Sequence, residues 1–82
     1  MNESKISVRY AKALFLAADE AGTLKDVMDD MSFIMKTYKE GRFREMLESP
    51  VVRPSDKKLV VIEIFSNRIT ALTSDFLDLL IS

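Results

Sequence analysis

The segment 6–21 carries more apolar surface than a single neighbouring element can cover. At 100° per residue its apolar side chains spread over roughly 220° of a helix, whereas a helix that lies on one core needs only roughly 100°. These side chains belong to Ile6, Tyr10, Ala13, Leu14, Ala17 and Ala21 on one side and to Val8, Ala11, Phe15 and Ala18 on the other. Such a helix is either central in a bundle or has a second face for a partner.

Glycine and proline divide the chain into further helical segments. Gly22 is placed to end the first helix with a left-handed cap, and Thr23 can then cap a helix over 24–39. So tight a turn predicts an antiparallel helical hairpin. Gly41 ends the second helix, and a two-turn helix over 42–48, with Phe43, Met46 and Leu47 inward, stops at Ser49 and Pro50.

The second helix shows one apolar stripe about 120° wide. Its members are Leu24, Val27, Met28, Met31, Ile34, Met35 and Tyr38. We therefore expect the three methionines to fill the core, because an unbranched thioether packs into irregular gaps. Three carboxylates lie outside the stripe, those of Asp26, Asp29 and Asp30, and we expect them on a solvated face.

The segment 56–67 is ambiguous because its run LVVIEIF is rich in β-branched residues. As a strand it has no adequate partner, since a lone hairpin would be marginally stable. As a helix it is apolar nearly all round, which fits a buried central helix. We favour the helix, with Ser55 as its N-cap.

A last helix follows a connection over 69–73, with Thr73 or Ser74 as its cap. Its apolar arc of roughly 200° again exceeds one face; the members are Leu72, Phe76, Leu77, Leu79, Leu80 and Ile81. The predicted fold is a single all-α domain, an antiparallel helical bundle. The helix reaches Ser82 without a glycine cap, a proline or a basic last turn, so we expect the sequence to be a fragment of a longer protein.

Composition argues against most catalytic chemistry. The 82 residues contain no cysteine and no histidine, so thiolate metal sites and the commonest general base are both missing. The net charge of −1 weighs against a dedicated nucleic-acid binder. Paired carboxylates remain, at 26, 29 and 30 and at Asp75 and Asp78, but no apolar pocket is evident to raise their pKa values. We expect no enzyme, cofactor, metal or small-molecule substrate.

Two surface features remain as candidates for binding. Arg53, Lys57 and Lys58 form a small basic cluster that could meet an acidic partner, although a solvated helix start explains it as well. The first helix also places Ala13, Ala17 and Ala21 in a row, beside Tyr10 and Leu14. If it lies beside the last helix, with Phe76, Leu79 and Leu80, the two form an apolar groove for an amphipathic helix. Periodicity leaves open whether that helix comes from this protein or another.

The run RYAKALFLAADEAG over 9–22 resembles the opening of the delta subunit of F-type ATP synthases, whose mitochondrial counterpart is the oligomycin-sensitivity-conferring protein. The resemblance continues in the leucine-x-serine-proline of Leu47 to Pro50, in the lysines before an apolar helix, and in the run DFLDLL over 75–80. Asp75 stands where the family usually has asparagine.

This resemblance implies an N-terminal domain of six helices, of which the chain would supply five, without the sixth helix and the C-terminal domain. It implies a non-catalytic stator subunit of the proton-translocating ATP synthase, peripheral on the cytoplasmic face of the inner (plasma) membrane. The implied partners are the N-terminal helix of an alpha subunit, in a groove between helices 1 and 5, and the b subunits of the peripheral stalk through the missing C-terminal domain.

Tyr10, Ala13 and Leu79 match family positions that line that groove, and the helical arcs add Leu14, Ala17, Phe76 and Leu80. Val8, Ala11, Phe15 and Ala18 are then expected to face the core of the bundle. The alternative is an unrelated helix-binding or dimerising adaptor. Loss of a sixth helix would also expose apolar surface, so the fragment is expected to dimerise at high concentration.

Overall fold

Residues 4–82 fold into five helices in the computed structural model, which describes the backbone from residue 4 and the side chains from residue 8. The helices are α1 (Ser4–Ala21), α2 (Leu24–Lys39), α3 (Arg42–Glu48), α4 (Pro54–Phe65) and α5 (Ala71–Ile81). No strand occurs within this range, so the all-α class is confirmed and the ambiguous LVVIEIF run is helical. The placement predicted for Ile6 lies outside the described side chains.

A two-residue turn brings α2 back against α1. Gly22 has a φ of 73°, as its position after the last helical residue predicts. Its N–H donates to the Asp19 carbonyl at 3.2 Å, and the Thr23 N–H donates to the Ala18 carbonyl at 2.8 Å, which completes a Schellman motif. The predicted side-chain cap by Thr23 is wrong, because its hydroxyl turns back towards the Ala18 carbonyl at 3.5 Å.

The core gathers around Phe65 of α4, whose side chain is 1% exposed. Phe33 and Phe43 meet its ring edge-on, with ring centroids 5.3 and 5.4 Å away. Aromatic pairs favour this arrangement, since the positive edge of one ring faces the negative face of the other. The other buried apolar residues are Leu14, Ala18, Val27, Ile34, Phe43, Val61, Phe76 and Leu77. The predicted inward set of α3 is confirmed, with Phe43 buried and Met46 and Leu47 packed against the core.

α2 is rotated relative to its predicted stripe. Met28 and Met35 are 55% and 47% exposed, so the prediction that they fill the core is wrong, whereas Met31 packs against it. Asp30 is buried at 8% exposure, so the solvated face expected for all three carboxylates is also wrong. The buried face is centred roughly 60° from the middle of the apolar stripe, towards Asp30 and Phe33. Both residues have partners on later helices, which explains the rotation.

The Asp30 carboxylate joins α2 to the start of α5. One oxygen, Oδ2, accepts the Thr70 N–H and the Thr73 hydroxyl, each at 2.8 Å. Thr70 is the N-cap of α5, and its hydroxyl oxygen accepts the Thr73 N–H at 3.3 Å. In a capping box, the side chain of the third helical residue accepts a hydrogen bond from the backbone N–H of the N-cap residue. Here the carboxylate of Asp30, on α2, accepts the N–H of the N-cap Thr70 instead. The predicted caps, Thr73 and Ser74, are therefore wrong, and Thr73 is a fully buried residue inside the helix.

α4 begins earlier and is less enclosed than predicted. The N-cap residue is Arg53, so the prediction of Ser55 as N-cap is wrong. Pro54 occupies the first turn, where the N–H that proline lacks would have no partner within the helix. Val61 and Phe65 are buried, but Leu59 and Ile62 are 61% and 56% exposed. α4 packs along α5 and leaves its opposite face uncovered within residues 8–82, so it is not a central helix.

The basic cluster near the start of α4 is used within the protein. The Lys57 ammonium donates to the Leu47 carbonyl at 2.7 Å, where α3 ends. Arg53 pairs with Asp56 at 3.3 Å, and Lys58 pairs with Asp78 of α5 at 3.5 Å. These contacts connect α3, α4 and α5 and favour the structural explanation over an acidic partner.

A hydrogen bond also ties the end of α2 to the end of α3. The Tyr38 hydroxyl donates to Glu48 Oε2 at 2.6 Å. This bond, together with partial burial and the negative charge of Glu48, raises the pKa of Tyr38 above 10.0.

None of the helices described is both long and apolar enough to cross a bilayer.

Replacing Asp30 by alanine should lower the free energy of unfolding by about 2–3 kcal/mol, because a buried N–H and hydroxyl lose their acceptor. Urea denaturation followed by circular dichroism measures this. Asp29→Ala is the matched control on the same helix, since its carboxylate pairs with Lys25 at the surface. We expect that control to change stability by less than about 0.5 kcal/mol. Equal losses in the two variants would contradict the role given to Asp30.

Glu48→Ala should shift the pKa of Tyr38 down towards 10.0, since it removes the acceptor and its charge. Absorbance of tyrosinate at 295 nm reports the titration, in a Tyr10→Phe background that isolates Tyr38. The hydrogen bond stabilises the neutral hydroxyl of the folded state. Its contribution is therefore complete below pH 10 and lost as the pH rises through the raised pKa. Glu45→Ala, on the same short helix, should leave the titration of Tyr38 unchanged.

Candidate partner-binding groove

α1 and α5 lie side by side and enclose an open groove of about 180 Å³. Each helix contributes four residues at positions i, i+3, i+4 and i+7, the spacing that lines one face of a helix. They are Tyr10, Ala13, Leu14 and Ala17 from α1 and Leu72, Asp75, Phe76 and Leu79 from α5. We call this surface the α1/α5 groove.

The residues of the groove divide into a floor and two walls. Leu14 and Phe76 are 5% and 6% exposed and belong to the core cluster, so they form a floor that the bundle itself holds in place. Ala13 and Leu79 are exposed, while Tyr10 and Ala17 are half-buried. Small side chains at 13 and 17 keep the wall on α1 low, which lets another helix approach closely.

The structure brings together six of the seven residues that the sequence singled out. Leu80 is the seventh, and it lines a separate depression with Phe43, Leu47, Lys57, Val61, Leu77 and Ile81. Leu80 follows Leu79 by 100° around the helix, which turns its side chain away from α1. Sequence reasoning missed Leu72 and Asp75, although both share the i, i+3, i+4, i+7 spacing with Phe76 and Leu79.

The predicted division of α1 into a groove face and a core face is correct only in part. Ala18 is fully buried and Ala11 packs against the core, as expected. Val8 and Phe15 are 53% and 36% exposed, so their assignment to the core is wrong. The core-facing arc is centred between Leu14 and Ala18, and Val8 and Phe15 lie roughly 80–100° beyond its middle. Within residues 8–82, α2 and α5 do not reach round to them.

The lining of the groove is suited to binding an apolar surface. Its lining is apolar apart from Asp75, and its volume is below the roughly 300–1,000 Å³ of ordinary small-molecule sites. Across the described residues, no group of three or more carboxylates is placed to hold a metal ion. An open apolar groove between two helices is instead a common receptor for a third, amphipathic helix.

A second depression lies beside the acidic residues of α2, and two of its three carboxylates are already paired within the protein. Asp26, Asp29 and Asp30 line it together with Asn67, Arg68, Ile69 and Thr70. Asp29 pairs with Lys25 at 3.1 Å, and Asp30 accepts hydrogen bonds from the start of α5. Asp29 and Asp30 therefore already have partners within the protein, which favours the α1/α5 groove as the candidate site.

Comparison with known proteins shows that the sequence matches one protein family. Residues 6–82 match the family described as ATP synthase delta (OSCP) subunit. The ATP synthase subunit delta of Christiangramia forsetii is 35% identical over 82 residues, which are 99% of this chain and 44% of that protein. The subunit delta of Alkaliphilus metalliredigens is 34% identical over 77 residues, which are 93% of this chain and 43% of that protein.

A third relative is named ATP synthase subunit delta, sodium ion specific, from Ilyobacter tartaricus, and is 28% identical over 67 residues, 80% of this chain and 38% of that protein. The chain thus spans less than half the length of these relatives. No solved structure matches the chain.

Proposed function

Since the chain belongs to the ATP synthase delta (OSCP) subunit family, we propose that it is the N-terminal domain of a non-catalytic stator subunit. In this proposal the α1/α5 groove binds the N-terminal helix of an alpha subunit, so that the domain holds the catalytic head. Family membership decides against an unrelated helix-binding adaptor. A sixth helix and a C-terminal domain that contacts the b subunits of the peripheral stalk belong to the proposed whole protein.

The observation that carries the proposal is the α1/α5 groove itself. Two stripes of equal spacing, one from each helix, border an apolar floor that belongs to the core. Tyr10, Ala13 and Leu79, which resemble groove positions of the family, lie together on this surface although they are up to 69 residues apart in the sequence. Leu14, Ala17 and Phe76, added from helical spacing alone, complete it.

The mechanism is mechanical. A stator resists the torque of the rotor through a non-covalent joint, so the joint has to be tight and preformed. Each Å² of apolar surface that leaves water stabilises such a joint by about 25 cal/mol before the cost of ordering the partner helix. A floor fixed by the core keeps that cost low on the side of this protein. The complex would lie at the cytoplasmic face of the membrane, with this subunit peripheral.

Ala13→Asp should abolish binding of a synthetic alpha-subunit N-terminal peptide while the fold survives. The new carboxylate would be buried by the docked helix without a partner, but it is exposed in the unbound domain. Isothermal titration calorimetry measures the affinity, and circular dichroism confirms the fold. Ser32→Asp is the matched control, because it adds the same charge on an exposed position of α2, which contributes no residue to the groove. Unchanged affinity in folded Ala13→Asp would refute the groove assignment.

The domain alone should also self-associate weakly as its concentration approaches the millimolar range. Val8, Leu16, Leu59 and Ile62 are each more than half exposed, and apolar surface of this kind promotes association. Sedimentation velocity at rising concentration tests this, with Leu59→Lys as a variant expected to weaken it. A sedimentation coefficient that stays monomeric up to millimolar protein would contradict the expectation.

A further inference from the structure

Asp75 is the single charged residue in the lining of the α1/α5 groove. It shares one face of α5 with Leu72, Phe76 and Leu79. Any helix that docks on these apolar residues therefore lies close to the Asp75 carboxylate. Asp78, one turn further on, is already paired with Lys58 at 3.5 Å. Asp75 takes part in none of the ion pairs formed within residues 8–82.

Asp75 lies at the rim of the groove. Leu72 and Leu79 lie on the side of α5 between Asp75 and the buried Phe76, so the carboxylate stands at the outer edge of the wall. Asp75 itself is exposed in the unbound domain. A docked helix would remove part of its water, and an unpaired carboxylate there would oppose binding. A cation on the docked helix would instead offset that cost.

The length of the groove limits the partner as well. The lining residues of each wall span seven residue steps, which is about 10 Å along a helix axis. The contact therefore covers about two turns of the docked helix and accepts apolar side chains at positions such as i, i+4 and i+7. The low wall at Ala13 and Ala17 leaves room for the aliphatic stem of a lysine or arginine to lie over apolar surface with its charge at the edge.

We propose that Asp75 selects a docked helix that carries a lysine or arginine beside its apolar stripe, and that this ion pair fixes the direction in which the helix lies. The inference rests on the proposed function, because it assigns the chemistry of the same partner. The apolar stripe supplies most of the affinity. The rim charge supplies orientation and faster association, since charges at the rim of an interface act mainly on the association rate and its salt dependence.

The test measures binding of two synthetic peptides to the 82-residue domain. The first is the alpha-subunit N-terminal peptide, and the second is the same peptide with every lysine and arginine replaced by glutamine. At low salt, Asp75→Asn should weaken binding of the first peptide about three- to fivefold, the size expected of a partly exposed ion pair. The loss should shrink at high salt, and the second peptide should bind both proteins equally. Asp78→Asn, at a carboxylate already paired with Lys58, is the matched control and should change the affinity less than about twofold.

The outcomes separate the two proposals. If the domain binds neither peptide at any salt concentration, the proposed function fails and this inference fails with it. If it binds the first peptide and Asp75→Asn binds as tightly or more tightly, the role of Asp75 is refuted while the groove assignment stands. An equal loss with both peptides also refutes it, because the substitution would then act on the fold and not on a charge.

Discussion

The architecture depends on one buried carboxylate. Asp30 Oδ2 accepts hydrogen bonds from the Thr70 backbone and the Thr73 hydroxyl, which lie 40 and 43 residues further along the chain. Burying a charge is unfavourable unless hydrogen bonds replace its water, and the start of a helix supplies both free N–H groups and a positive dipole end. The interaction therefore fixes the start of α5 and, together with the Phe33–Phe65 contact, the face of α2 that turns inward.

The groove follows from that placement of α5. Once its first turn is held against α2, its stripe of Leu72, Asp75, Phe76 and Leu79 lies beside the matching stripe of α1. α1 has more apolar surface than α2 and α5 can cover, which leaves the low wall at Ala13 and Ala17 open. The excess apolar arc that makes α1 unusual in the sequence is thus divided among a core face, a groove face and the uncovered side with Val8 and Phe15.

Local signals in the sequence predicted most of the helix bounds. Which residues of each helix are buried depends on long-range packing. The bounds of α2 and α3 follow from Gly22, Gly41 and Pro50, whose backbone preferences act on their immediate neighbours. The burial of Asp30 was not predictable, because its partners are remote and helical periodicity counts a carboxylate as polar. The exposure of Met28 and Met35 has the same cause, because the rotation of α2 that buries Asp30 turns these two side chains outward. The place of Asp75 in the groove was not predicted, because helical periodicity assigns only apolar side chains to an apolar face.

The same carboxylate couples stability to binding in the proposed joint. Phe76 forms the floor of the groove three residues after Thr73, so the hydrogen bonds that hold Thr73 also hold Phe76 in place. A partner helix that docks against a fixed floor loses less free energy to ordering the protein than one that must first assemble its site. In the proposed joint, force on the docked helix would pass through α5 into the Asp30 hydrogen bonds and then into α2. The buried Asp30 interaction would therefore keep the floor of the groove in place when the proposed joint is under load.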